Sequence, residues 1–147
     1  LMSLDLVVNS SSKEEESEVE IRVEYLSSEI CIIGAHINNK PVGEYSIGSI
    51  DYIDESERDY QLFTSYINSE VSGKGIPRKL IQAGMIALQK MADLSGKDIV
   101  HCLLVINEEA ANKLKHIYVD ESRYELFKTP IETCYCKRYV ARQEQIQ

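Results

Sequence analysis

What most narrows the fold of this chain is a change of hydrophobic period part way along it. Val19, Ile21, Val23 and Tyr25 alternate with Glu20, Arg22 and Glu24, the two-residue repeat of a strand with one buried face. Short strand-like runs continue in Ile30–Ile37, Val42–Ile50 and Tyr60–Asn68. From Pro77 the repeat lengthens. Leu80, Ile81, Leu88 and Met91 follow helical spacing, with Ala83, Gly84 and Ala87 filling the same side. A chain that begins as strands and then alternates helix with strand predicts an α+β domain with a mixed sheet.

Turn residues set the boundaries. Leu4–Val8 reads as a first strand, and the wholly polar stretch Asn9–Glu18 as a mobile loop. Ser27-Ser28-Glu29 turns the chain, Asn38-Asn39-Lys40-Pro41 is a hairpin connection, and Asp51–Asp59 is an acidic loop. Pro41 has no N–H and belongs at a strand margin. The first half is therefore an antiparallel meander. Pro77 suits the first helical position, and Gly96 supplies the stop. Ile99–Ile106 is the apolar run of a strand covered on both faces, so Tyr60–Ile106 forms a right-handed parallel crossover. Asn107 can cap a second helix whose stripe is Ala110, Ala111, Leu114, Ile117 and Tyr118. Two strands, roughly Arg123–Lys128 and Glu132–Val140, close the fold around Pro130, leaving 141–147 as a tail.

The 147 residues fit a single domain, 1–147, with 44% hydrophobic and 27% charged residues placing it among soluble globular chains. No apolar run reaches the ~20 residues of a membrane helix, and Leu1–Val8 lacks the basic start of a secretory leader. A cytoplasmic location without a membrane partner is the expectation. The net charge of −8 argues against nucleic acid, since phosphate binding draws on clustered Lys and Arg. An acidic surface keeps a chain soluble and also suits a cationic partner such as an amine or a basic peptide.

Of four cysteines, Cys31, Cys102, Cys134 and Cys136, Cys102 sits in an apolar run and reads as a small hydrophobe. Cys134 and Cys136 share one face of a strand, and their spacing is neither that of a zinc knuckle nor that of a redox pair. Reduced thiols and no metal are expected. His36 and His101, in apolar strands, read as core histidines.

The stretch Asn68-Ser69-Glu70-Val71-Ser72-Gly73-Lys74-Gly75-Ile76-Pro77-Arg78 carries the main functional signal. A strand entering a glycine-rich turn before a helix aims backbone N–H groups at one point, and the helix dipole adds its positive end. Such a turn can hold phosphate oxygens or can simply connect two elements. It is not a P-loop, because no Ser or Thr follows Lys74. Nor is it a dinucleotide fingerprint, because position 78 is Arg.

This turn, in its ordered surroundings, resembles the GNAT superfamily of acetyl-CoA-dependent N-acyltransferases. Ser72-Gly73-Lys74-Gly75-Ile76-Pro77 falls on that family's R/Q-x-x-G-x-G/A turn. Ile33–Ile50 is similar to its hairpin, and Leu103–Ala110 to its fifth strand followed by N-x-x-A. The resemblance spans about Val19 to Val140. It implies a GNAT-like fold and acetyl-CoA as co-substrate, with Gly73, Gly75 and Arg78 holding the pyrophosphate through backbone N–H groups. The backbone near Ile67 would bind the pantetheine arm or the acetyl carbonyl, and Asn107 would lie across the gap from it. It also implies transfer of an acetyl group to a primary amine of a small molecule or peptide.

The chain departs from the family pattern at Ser72, at Pro77 and at Leu114, which stands where many members carry a Tyr that protonates the thiolate. Glu70 is then the candidate base, with a surface role as the other reading. Tyr118 is a candidate proton donor or a core ring, Tyr66 a proton handler or a core ring, and His116 solvated. No pair of helices separates the first two strands as it does in the family. A GNAT-fold module that binds acyl-CoA or a protein partner without turnover is the alternative, and a homodimer through the closing strands is left open.

Overall fold

The computed structural model describes residues 4–8, 18–50, 59–104, 108–128 and 133–142. Positions 9–17 of the loop expected at Asn9–Glu18 and 51–58 of that expected at Asp51–Asp59 lie outside these residues, as do Asn107, Pro130 and the end of the tail at 143–147. Two compact units are present, one formed by Leu1–Ile47 with Tyr66–Ala87, the other by Gly48–Ser65 with Leu88–Gln147.

In the first unit, β1 (Leu4–Val8), β2 (Val19–Leu26), β3 (Ile30–Ile37) and β4 (Lys40–Ser49, to Ile47) neighbour one another in that order. The first three are antiparallel, with Leu6 opposite Ile21 and Ile21 opposite Ala35. The alternation seen in the sequence sets this register, because a slip by one residue would turn Val19, Ile21 and Val23 out of the core. A register shift between Val23 and Tyr25 marks a bulge at Glu24. Asn38 and Asn39 both take positive φ, 51° and 65°, as the two-residue hairpin turn requires. The hairpin connection is thus shorter than expected, with Lys40 and Pro41 already in β4.

The helix α1 (Ile76–Ser95) contributes its first three turns to this unit. Ile76, Leu80 and Ile81 are fully buried, each contributing roughly 1.5–3 kcal/mol on burial. Glycines allow the close approach to β4. A Cβ on Gly43 would stand 3.0 Å from Ile76 Cγ2 and 3.1 Å from the Asn68 carbonyl, and one on Gly84 would overlap the Tyr45 ring.

In the second unit, the start of β5 (Tyr60–Ser69), β6 (Asp98–Leu104), β8 (Thr133–Tyr139) and β7 (Glu125–Lys128) neighbour one another in that order. β5 and β6 are parallel, Phe63 lying opposite His101, while β8 is antiparallel to both β6 and β7. The sheet is therefore mixed. The sequence of elements is the expected one: meander, strand–helix–strand–helix, two closing strands. Gln61 bridges to Ser95 Oγ at 2.9 Å and to the Lys97 carbonyl at 3.2 Å, fastening β5 to the crossover. Arg142 pairs with Asp93 at 2.6 Å, and the Ala141 amide donates to Asp98 at 2.8 Å.

The second helix differs from its expected course. Its α-helical part, α2, covers Glu108–Lys115, and His116–Glu121 continues as a π-helical turn. The widened turn buries Ile117 and Tyr118 together. It ends where the Tyr124 amide donates back to the Tyr118 carbonyl at 2.7 Å, after Arg123 takes a positive φ of 61°. Arg123 is accordingly a turn residue, and the strand expected from it begins at Glu125. Among the described residues, no helix is long and apolar enough to cross a membrane.

Candidate functional site

The site residues read from the sequence fall into one contiguous stretch of the first unit, apart from Tyr118 and Asn107. Strand β5 carries Ile67, half-buried, and ends at Ser69. Glu70 is exposed, and its amide donates to the Val42 carbonyl at 2.9 Å, which ties the strand exit to β4. Ser69 Oγ donates to the Val71 carbonyl at 2.9 Å, holding the chain as it leaves the strand. Ser72, Gly73 and Gly75 are exposed and Lys74 is half-buried.

Gly73 and Gly75 adopt φ of 78° and 66°, a region that costs any other L-residue roughly 1–2 kcal/mol. A Cβ at either position would meet nothing within 4 Å. These glycines are therefore required by backbone direction and not by packing, and open space lies beside both. The Lys79 amide donates to the Gly75 carbonyl at 3.1 Å, so Gly75 is the residue immediately preceding the helix. Ile76 is the first helical residue and fully buried, Pro77 the second, and Arg78 the third and exposed. Pro77 thus stands one place later than expected. Its missing N–H still falls among the first-turn groups that have no partner within a helix. The first turn holds no acidic residue, so no carboxylate of its own competes for the positive end of the dipole.

Tyr118 belongs to the second unit and is 2% exposed. Its ring meets Tyr124 edge-on at 5.1 Å and stacks on Tyr135 at 6.2 Å. Tyr66 is 67% exposed, which corrects its core reading. His116 is exposed, as read from its position.

His101 is fully buried, as its apolar strand implied, and it has partners on both ring nitrogens. Nδ1 lies 2.6 Å from Tyr124 Oη, and Nε2 lies 2.9 Å from Ser65 Oγ. Tyr124 Oη is 2.7 Å from Tyr139 Oη, which lengthens the row. Burial pushes the His101 pKa down to about 3, so the ring is neutral at neutral pH. Sequence reasoning named the histidine but not its companions, because Ser65, Tyr124 and Tyr139 come from three separate elements. His36 lies 3.4 Å from Glu24 through Nε2, and its buried Nδ1 has no hydrogen-bond partner among the described residues.

No family model and no curated protein matches the sequence. Solved structures match the fold. An acetoin utilization protein from Exiguobacterium sibiricum 255-15 is 14% identical with a TM-score of 0.61, covering 92% of this chain and 86% of that one. YncA from Salmonella typhimurium, a candidate acetyltransferase solved with its cofactor acetyl-CoA, is 13% identical with a TM-score of 0.55 over 82% of this chain and 69% of that one. A GNAT-family acetyltransferase from Streptococcus pneumoniae is 15% identical, with a TM-score of 0.49, over 79% of this chain and 69% of that one. The fold of this chain is the GNAT-like α+β fold anticipated from its sequence.

Proposed function

We propose that this protein is a GNAT-type N-acetyltransferase that moves an acetyl group from acetyl-CoA to a primary amine of a small molecule or peptide. The observation that carries the proposal is the turn at Gly73–Gly75. There, two left-handed glycines with open space beside them lead into a helix start without acidic residues. That arrangement offers main-chain donors and a positive dipole end to a diphosphate. The solved YncA structure, which shares the fold, was determined with acetyl-CoA.

In this reading Ser72, Gly73, Lys74, Gly75, Ile76, Pro77 and Arg78 form the diphosphate cradle, with Lys74 and Arg78 supplying charge. The backbone of Ile67, and Asn107 by resemblance, would hold the pantetheine. The amine nitrogen attacks the thioester carbonyl, a C–N bond forms, and the C–S bond breaks to release the thiolate of coenzyme A. Proximity and an oxyanion donor account for most of the rate. Glu70, exposed at the strand exit, takes the proton from the ammonium group. Tyr118 is the proposed proton donor to the thiolate. The acidic net charge is compatible with a cationic acceptor.

Thermal unfolding with coenzyme A tests the cradle, because a ligand that binds only the folded state raises Tm. An unchanged Tm at millimolar coenzyme removes the proposal. Thiol release across a panel of amines and basic peptides tests transfer. A raised Tm with no turnover on any acceptor would instead identify a binding module.

A further inference from the structure

The second unit holds a cluster that the acyl-transfer reading does not use. Cys102 on β6 lies directly opposite Cys136 on β8, and Cys134 lies two residues before Cys136 on the same face. The sulfur of Cys136 is 2.8 Å from that of Cys102 and 3.3 Å from that of Cys134. All three sulfurs lie within 4.8 Å of one another. Read along the chain, Cys134 and Cys136 have no ligand spacing. The third thiol arrives from the neighbouring strand, so the cluster exists only once the sheet has formed.

We propose that Cys102, Cys134 and Cys136 form a three-thiolate site for a soft divalent cation of the zinc type. Tetrahedral bonds of about 2.3 Å to zinc place bound sulfurs about 3.8 Å apart. Two separations here are shorter than that value, at 2.8 and 3.3 Å, and the third is no more than 4.8 Å, so small side-chain rotations that part the sulfurs around one point meet it. Soft thiolates select soft cations.

The fourth position also has a candidate. Glu125 on β7 is the direct cross-strand partner of Cys136, so both side chains leave the sheet on one face. The two residues line a common open pocket with Val100, Arg123, Lys137 and Arg138. The pocket gives a cation a way in, and it leaves the fourth position to the Glu125 carboxylate or to water.

The alternatives fit less well. A disulfide would join one pair and leave the third sulfur in contact with it. Plain packing leaves three thiols crowded together, with the Cys136 sulfur 2.8 and 3.3 Å from the other two.

Zinc titration of the full, reduced chain against a chromophoric chelator tests the site. One zinc per chain is expected, with protons released and with affinity that rises with pH. Cobalt in place of zinc is expected to give sulfur-to-metal charge-transfer absorption. Cys134→Ser and Cys136→Ser should each weaken binding by more than about tenfold, and Glu125→Gln should weaken it less. Zinc should also protect Cys102, Cys134 and Cys136 of the wild-type chain from alkylation, a readout that does not depend on whether any variant folds. Failure of the reduced chain to take up zinc overturns the proposal, as do unchanged stoichiometry and affinity in folded Cys134→Ser and Cys136→Ser chains. Alkylation that zinc leaves unaffected overturns it equally.

Discussion

The carbonyl of Gly75 accepts the amide of Lys79 at 3.1 Å, which makes Gly75 the last residue before α1 and, at φ 66°, a left-handed one. Gly75→Val therefore meets backbone strain of roughly 1–2 kcal/mol, while its Cβ meets nothing within 4 Å. In the proposed function it also places a side chain where the diphosphate would approach. Denaturant unfolding should show that loss, and the rise in Tm with coenzyme A should vanish. Gly96→Ala is the control, because Gly96 has φ 70°, equally open surroundings, and a place at the far end of the same helix. It should lose similar stability and keep the response to coenzyme A. Equal responses in the two variants would move the site away from the turn.

Acid should weaken the fold through His101. Its folded pKa is lowered by burial to about 3 from an ordinary value of 6.5. Between these values the unfolded chain binds a proton that the folded chain refuses. Stability is thus complete above about pH 6.5 and falls as pH drops toward 3, with a limiting slope of about 1.4 kcal/mol per pH unit. Asp93 and Asp98, both held below the ordinary carboxylate range by hydrogen bonds from the Arg142, Ala141 and Arg138 groups, add their losses only below about pH 4. Urea unfolding between pH 6.5 and 4.5 therefore isolates the histidine. A His101→Gln chain should lose that component, and an unchanged slope would refute the assignment.

Gly84→Ala should be costly although alanine is the better helix former. The new methyl would overlap the ring of Tyr45, itself 1% exposed. Overpacking of this kind costs about 1–3 kcal/mol, more than the propensity gain. Combining it with Tyr45→Leu should recover part of the loss, as a double-mutant cycle in unfolding free energy would show.

Tyr118→Phe should leave the fold intact, because its ring contacts with Tyr124 and Tyr135 survive. Tyr118→Ala should cost about 3–5 kcal/mol. Turnover of the Phe variant then separates the two roles weighed for this residue. Loss of a general acid would lower the rate by about 10²–10⁴, and loss of a hydroxyl with only a packing role would leave it unchanged.

Much of the fold was legible because its signals are local. Alternation in 19–25, the helical stripe from Leu80 to Met91 and the stop at Gly96 each depend on neighbours in sequence. So does the turn at Gly73 and Gly75, whose positive φ follows from what glycine alone adopts cheaply. What escaped the sequence depends on distant pairings. The π-helical turn at His116–Glu121 arises from a bond between Tyr118 and Tyr124 and from the burial of Ile117 and Tyr118. No helical periodicity announces it. The exposure of Tyr66 reflects which face of β5 is covered, a matter of topology. Likewise the three thiols meet only through the register of β6 against β8, where Cys102 comes to face Cys136.

The row from Ser65 through His101 and Tyr124 to Tyr139 is closed to solvent at the histidine, and a neutral imidazole has one nitrogen that gives a hydrogen and one that takes it. The tautomer therefore sets the sense of both imidazole bonds together. With Nε2 protonated, Tyr124 gives to Nδ1 and Nε2 gives to Ser65; with Nδ1 protonated, Ser65 gives to Nε2 and Nδ1 gives to Tyr124. The Ser65 and Tyr124 hydroxyls thus cannot reverse their bonds to the ring independently, and the buried histidine links their orientations across its two nitrogens.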